Sequence, residues 1–173
     1  MLASATRHFG EHGYADTSLE RIAVDAGTTI RPVYHYFGNK RALFEAVNDA
    51  LDAKLLEVLS DDAFAEGRDG MLARFRACLR IIAEPTFQRV VLIDGPAVLG
   101  RERWSASPVS ETASALLAAL PLGDDPIRAE LVRRMMIGAL TEAAVALAES
   151  RTKRELETRI EALIGIAAVI LPA

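Results

Sequence analysis

Apolar residues recur along most of this chain at intervals of three and four, with little strand-like alternation, so the pattern predicts helix almost throughout. Leu2, Ala5 and Phe9 share one face of a first helix that ends at Gly13. A second begins at TSLE, where Thr17 can accept from the backbone near Glu20 and Glu20 can reach back to it, a capping box. Its apolar face is Leu19, Ile22, Ala23 and Ala26, and Gly27 follows where a left-handed residue closes a helix. A third segment opens at Thr29, a good N-cap, takes Pro32 in its first turn and stops at Phe37 and Gly38. Asn39 caps a long fourth helix, marked by Leu43, Phe44, Val47, Leu51, Leu55 and Leu59.

The polar run SDDAFAEGRDG then breaks the pattern. A fifth helix is predicted near 71–83, a sixth from about 87 to 92 with a run-on toward 97, and a seventh near 110–120. GRERWSASP reads as a loop or a helix start, and PLGDDP as a stop. Two long helices close the chain. The first, 127–149, is rich in small residues, including Gly138, Ala139, Ala143 and Ala144. The second, 152–171, sets Leu156, Ile160, Leu163, Ala167 and Ile170 close to heptad spacing. The class is therefore all-α, with about nine helices.

Composition narrows the reading. At 173 residues and 51% apolar, the chain suits one large or two small domains with a substantial core. It has no apolar run of membrane-spanning length and no secretory leader pattern. Its one cysteine, Cys78, cannot form an internal disulfide, which fits a cytoplasmic protein and reads as a small core residue. Net charge is −4, so any nucleic-acid binding must rest on a local patch. Within 1–50 the five basic residues Arg7, Arg21, Arg31, Lys40 and Arg41 face six acidic ones, a net of −1.

The third segment is short and unusually polar. Val33 and Phe37, four apart, can anchor it, which leaves Thr29, Ile30, Arg31, Pro32 and His35 for an outer face. Three short helices with a tight glycine turn before the third form a helix-turn-helix pattern, whose last member enters the major groove. Arg31 can donate two hydrogen bonds to guanine, and Ile30 or Pro32 can touch a thymine methyl. Thr17, Tyr34, Tyr36 and Lys40 are the phosphate-contact candidates, Thr17 and Lys40 because they stand at helix starts.

LASATRHFGEHGY followed by TSLERIAVDAGTTIRPVYHYFGNKRALFEAV resembles the DNA-binding domain of the TetR family of bacterial transcriptional regulators over about residues 2–47. Phe9, Gly13, Thr17, Ile22, Ala23, Ala26, Gly27, Tyr34, Phe37, Lys40 and Leu43 match its pattern. VVLIDGPAVLGRERW is similar to a stretch in a subset of such regulators. The resemblance implies a helix-turn-helix domain over 1–47 and an effector-binding and dimerisation domain over 48–173. It implies a homodimer on a palindromic double-stranded operator, released by a small-molecule effector and usually repressing, with no membrane partner and no cofactor. The fourth helix is the expected link between the domains.

Two departures stand out. Members usually carry a longer, often basic segment before the first helix, so a shortened or mis-started chain with reduced DNA affinity is expected. Pro32 also stands where the family often has Thr or another small residue.

Phe75, Leu79, Ile82, Phe87, Val91, Asp94, Trp104 and Met135 are the effector-pocket candidates, with Arg76, Arg101 and Arg103 as further polar handles. Each is also a plausible core residue, and Trp104 can equally plug a loop. Leu131, Gly138, Ala139, Leu156, Ile160, Leu163 and Ala167 are the expected dimer interface.

An enzyme is disfavoured. No glycine-rich phosphate loop, no metal cluster and no nucleophile with a base at motif spacing is present, so neither catalytic residues nor a metal are expected. The three histidines all lie in the first 35 residues. His8 and His12, four apart, lack a third ligand and read as a solvated or structural pair. The other class kept open is a helical dimeric adaptor that does not bind DNA.

Overall fold

The computed structural model describes residues 1–65, 67–100, 103, 107–118, 125–150 and 152–171. It is all-α, with no strand among the described residues. The chain separates into two units, Met1–Ala53 with Glu84–Ser105, and Lys54–Ala83 with Ala106–Ala173.

The first unit contains α1 (Leu2–Asp16), α2 (Leu19–Asp25), α3 (Ile30–Phe37) and the first part of α4 (Lys40–Leu59). A later stretch joins them: α6 (Pro85–Phe87), a π-helical segment (Gln88–Asp94) and α7 (Gly95–Val98). Phe9, Ile22, Val33, Leu43, Phe44 and Phe87 form the core, each at most 1% exposed. Helix α1 packs against α6 and the π-helical segment at close range. A Cβ added at Gly10 would fall 2.7 Å from the Thr86 hydroxyl. This docking places Pro85–Asp94 with the N-terminal helices.

The sequence predicts a helix from about 87 to 92 with a run-on toward 97. The structure shows a helical run with a π turn, closed by a bond from the Gly95 N–H to Val90 O. Pro96 has no N–H to offer, and a widened turn is one way for a helix to absorb that loss. Gly95 fits tightly, since a Cβ there would approach Val90 O to 3.0 Å and Asn48 Nδ2 to 3.2 Å.

The second unit contains the end of α4, then α5 (Gly67–Ile82), α8 (Pro108–Ala118), α9 (Pro126–Ala148) and α10 (Lys153–Ile170). Leu79, Leu147 and Ile160, each at most 1% exposed, lie at its centre. Thr152 caps α10, its hydroxyl accepting from the Glu155 N–H at 3.1 Å. Burial pushes the Cys78 thiol up to about 11, as expected of an inert core thiol. Among the described residues no helix is long and apolar enough to cross a membrane, and no group of His, Cys, Asp or Glu could hold a metal ion.

Basic side chains close many of these helices. Arg74 donates to Leu59 O at 2.7 Å and Asp61 O at 2.9 Å past the end of α4. Arg159 donates to Ala146 O, and Arg68 to Ala168 O. A cation there satisfies a carbonyl the helix leaves unpaired and lies at the negative end of its dipole. The first unit uses two cations the same way: Lys40 Nζ donates to Ala15 O at 3.0 Å, and Arg41 Nε to Val98 O at 3.1 Å.

Candidate nucleic-acid interface

The turn between α2 and α3 is a Schellman closure. Thr28 N–H bonds Ala23 O at 2.9 Å and Gly27 N–H bonds Val24 O at 3.0 Å, with Gly27 at φ +67°. Val33, 1% exposed, anchors α3, and half-buried Phe37 supports it one turn later. Gly38 at φ +78° ends the helix, and Asn39 Oδ1 caps α4 by accepting from Ala42 N–H at 2.9 Å.

These constraints turn one face of α3 outward. Thr29, Arg31 and His35 are exposed, and Ile30 and Pro32 are half-buried beside them. Tyr34 and Tyr36 are exposed too, and the Tyr36 ring meets His35 edge-on at 5.1 Å. Thr29, Arg31 and His35 therefore share one solvent-facing surface with Pro32 at its edge, while Ile30, three before Val33 and seven before Phe37, lies toward the packed side. Thr29 holds the N-cap position, but its side chain makes no capping bond.

Helix α2 is held to α1 from behind. The Ser4 hydroxyl donates to Ile22 O at 3.1 Å and to Asp25 Oδ2 at 2.5 Å, and Arg7 pairs with the same carboxylate. The Ser4 bond, with Arg7 and His8 nearby, holds the Asp25 carboxyl below the usual carboxylate range. His8 Nε2 lies 3.8 Å from Asp25, and the His8 and His12 rings are 5.7 Å apart.

Two phosphate-contact expectations change. Thr17 is 4% exposed, and its hydroxyl donates to Gly13 O at 2.7 Å and His8 O at 3.1 Å. It serves the end of α1, with its hydroxyl turned inward. The cap of α2 is Ser18, which accepts from Arg21 N–H at 3.3 Å and donates to Glu20 at 2.7 Å, one residue later than the expected box. Lys40 is half-buried, with one donor spent on Ala15 O and its ammonium 4.7 Å from the centre of the Tyr14 ring. Two of its three donors remain.

Positive charge is scarce on this surface. Arg7, Lys40 and Arg41 are engaged within the unit. Among the described residues, Arg21 and Arg31 have no side-chain partner, and both are exposed.

The other expected sites scatter. Phe87, Val91 and Asp94 fall in the first unit, Phe75, Leu79 and Ile82 in the second. Trp104 and Arg101 lie outside the described residues. Met135 is 73% exposed on α9, one turn from exposed Leu131, so it belongs to a surface stripe and does not line an interior pocket. The polar handles are already paired: Arg76 with Glu161, Arg103 with Glu45 and Asp49, and Asp94 with Arg89 and the Tyr14 N–H. Gly138 and Ala139 are exposed on α9 beside Leu131. On α10, Leu156, Leu163 and Ala167 are half-buried, while Ile160 is 1% exposed and used inside its own unit. The large exposed apolar residues of α10 are Ile166, Val169 and Ile170. The contact of Asp94 with Tyr14 bridges eighty residues, and no local motif announced it.

Comparison with known proteins fits this arrangement. The family described as bacterial regulatory proteins, tetR family, matches residues 1–47, and the tetracyclin repressor-like C-terminal domain matches residues 68–168. A TetR-family transcriptional regulator from Pectobacterium atrosepticum is 33% identical, with 99% of this chain and 92% of that one covered and a TM-score of 0.73. A regulator from Aquifex aeolicus shares the fold, at 17% identity with a TM-score of 0.71, covering 95% of this chain and 96% of its own. The HTH-type transcriptional repressor AcnR of Corynebacterium glutamicum is 35% identical over 72 residues, which are 42% of this chain but only 38% of that repressor. Matches over both the helix-turn-helix and the C-terminal helices lead to one conclusion: the chain belongs to the TetR family of bacterial transcriptional regulators.

Proposed function

We propose that this protein is a dimeric one-component regulator, of the repressing kind, that lays α3 into successive major grooves of a palindromic operator and is released by a small molecule. The observation that carries the reading is the outer face of α3. Arg31, uncommitted and exposed, stands there with Thr29 and His35 on a helix fixed at both ends by left-handed glycines. Residues 1–47 act as the DNA-binding domain and 48–173 as the effector-binding and dimerisation domain. The effector would shift the balance between conformations that do and do not match the half-site spacing. AcnR is itself named a repressor, and its likeness to 72 residues of this chain supports that sense of regulation.

The contacts divide by role. Arg31→Ala is expected to cost about 1–3 kcal/mol on the operator and to relax preference at one base pair per half-site. Lys40→Ala is expected to weaken operator and random duplexes alike. Anisotropy titrations of both variants on both duplexes check this, and equal losses for Arg31→Ala would remove it from base readout.

Salt dependence supplies a second check. With only five cations in the first fifty residues and Arg7 paired with Asp25, few phosphates can be neutralised. The slope of log K against log salt is expected to be shallower than about −6, at roughly −0.9 per phosphate contact.

The same scarcity of charge favours one alternative, a helical dimeric adaptor that ignores DNA. Anisotropy with the duplex upstream of the protein's own gene, against a scrambled control, begins the test. Sequence-dependent binding establishes the regulator. Binding to neither duplex, followed by an empty genome-wide selection for bound DNA, establishes the adaptor.

A further inference from the structure

Asp94 closes the π-helical segment of the first unit, and its carboxylate meets the end of α1. Its Oδ2 accepts the Tyr14 N–H at 2.7 Å, the first N–H beyond the kink at Gly13 (φ 76°, ψ 175°). The same oxygen accepts Arg89 Nε at 3.2 Å. The Arg89 guanidinium occupies the space that a Cβ at Gly13 would need. Both side chains come from the π-helical segment, Gln88–Asp94. From the other direction, the Lys40 ammonium sits over the Tyr14 ring and donates to Ala15 O. The Tyr14 ring also meets Phe44 edge-on at 5.1 Å.

We propose that Arg89 and Asp94 are positioning residues for DNA binding: they fix the kink at Gly13 and Tyr14, and the fixed kink holds the Lys40 ammonium at the junction of α3 and α4. The inference rests on the DNA-binding reading and on Lys40 as a phosphate contact. A carboxylate that takes both a backbone N–H and a guanidinium makes charge-assisted bonds with defined directions. Without it, the Tyr14 N–H and Arg89 lose their acceptor, and nothing retains the guanidinium against Gly13. The Tyr14 ring keeps its contacts with Phe9 and Phe44, but its backbone at the kink loses a fixed partner, so the neighbouring Ala15 carbonyl no longer defines as sharply where the ammonium rests.

The test uses the full chain with Asp94→Ala, Asp94→Asn, Lys40→Ala and the double variant Asp94→Ala with Lys40→Ala. Each is titrated on the wild-type operator and a random duplex across a salt series, at a temperature where circular dichroism shows every variant folded. Asp94→Ala is expected to weaken both duplexes about tenfold, the scale of one lost charge-assisted bond. Its salt slope should flatten by about 0.9 per protomer. The double variant should bind no worse than Lys40→Ala alone, because both changes remove one contact. Asp94→Asn keeps an oxygen for the Tyr14 N–H and should recover most of the affinity. A loss that adds in full to that of Lys40→Ala, or an unchanged slope, would overturn the assignment while leaving the regulator intact. If the wild type binds no duplex, the DNA-binding reading falls and the assignment falls with it.

Discussion

Phe44→Ala is expected to destabilise the protein by about 3–5 kcal/mol, the usual cost of truncating a fully buried phenylalanine. Phe44 is 0% exposed. Its ring meets Phe9 edge-on, with centroids 5.1 Å apart and planes at 87°, and meets Tyr14 at 5.1 Å and 71°. Phe9 is also 0% exposed, so the cavity opens between α1 and α4 with no mobile surface chain to fill it. The lost aromatic contacts add to the lost transfer energy, at about 0.5–1.5 kcal/mol per pair. Urea unfolding followed by far-ultraviolet circular dichroism measures the change. Val24→Ala, at a residue 77% exposed, serves as the control and should shift stability by less than about 0.5 kcal/mol. DNA binding should weaken with Phe44→Ala as well, because Lys40, one turn earlier on α4, packs on the same Tyr14 ring. A loss below about 1 kcal/mol would mean that this cluster is not the keystone of the first unit.

What could be read in advance follows from where the determining interactions lie. The turn at Gly27, the stop at Gly38 and the Asn39 cap each depend on residues within a few positions, and local chemistry specifies them. So does the outward face of α3, since Val33 and Phe37 allow only one side to be buried. Local sequence cannot choose between Thr17 and Ser18 as the cap of α2, because the two hydroxyls are chemically equal candidates. Only the distant carbonyls of His8 and Gly13 decide that Thr17 turns inward. The engagement of Lys40, Arg41 and Asp94 was hidden for the same reason, since their partners lie 25, 57 and 80 residues away. The π turn had a local sign in Pro96, but a proline alone does not choose between a kink, a break and a widened turn.

Helix α10 was harder to read because it is apolar on two stripes. Leu156, Ile160, Leu163, Ile164 and Ala167 form one, and Ile166 and Val169 form another beside it, with Ile170 at the exposed end where the two meet. Periodicity detects both and cannot say which faces inward. In the structure the first stripe contains the fully buried Ile160, and the second is the exposed one.

That assignment leads to the second large effect. Ile166→Asp with Val169→Asp is expected to split the proposed dimer while leaving the protomer folded. Ile166 is 57% exposed, Val169 86% and Ile170 56%, so no interior packing is lost in the protomer. Helix α9 offers a matching row one turn apart, with Ile127 69%, Leu131 55% and Met135 73% exposed, followed by the exposed Gly138 and Ala139. Small residues there would let a partner helix approach closely. A two-fold interface repeats every residue, so each substitution places two unpaired carboxylates where apolar contact is expected. Desolvating such charges costs several kcal/mol each. Sedimentation should show a monomer with an unchanged melting curve. Operator affinity should fall by about a hundredfold or more, because the two half-sites lose the advantage of being held by one molecule. Ile160→Asp provides the contrast: it buries a charge inside the unit and should unfold the protein before it dissociates it. If the double variant remains a dimer that binds the operator normally, the pairing surface lies elsewhere on the second unit.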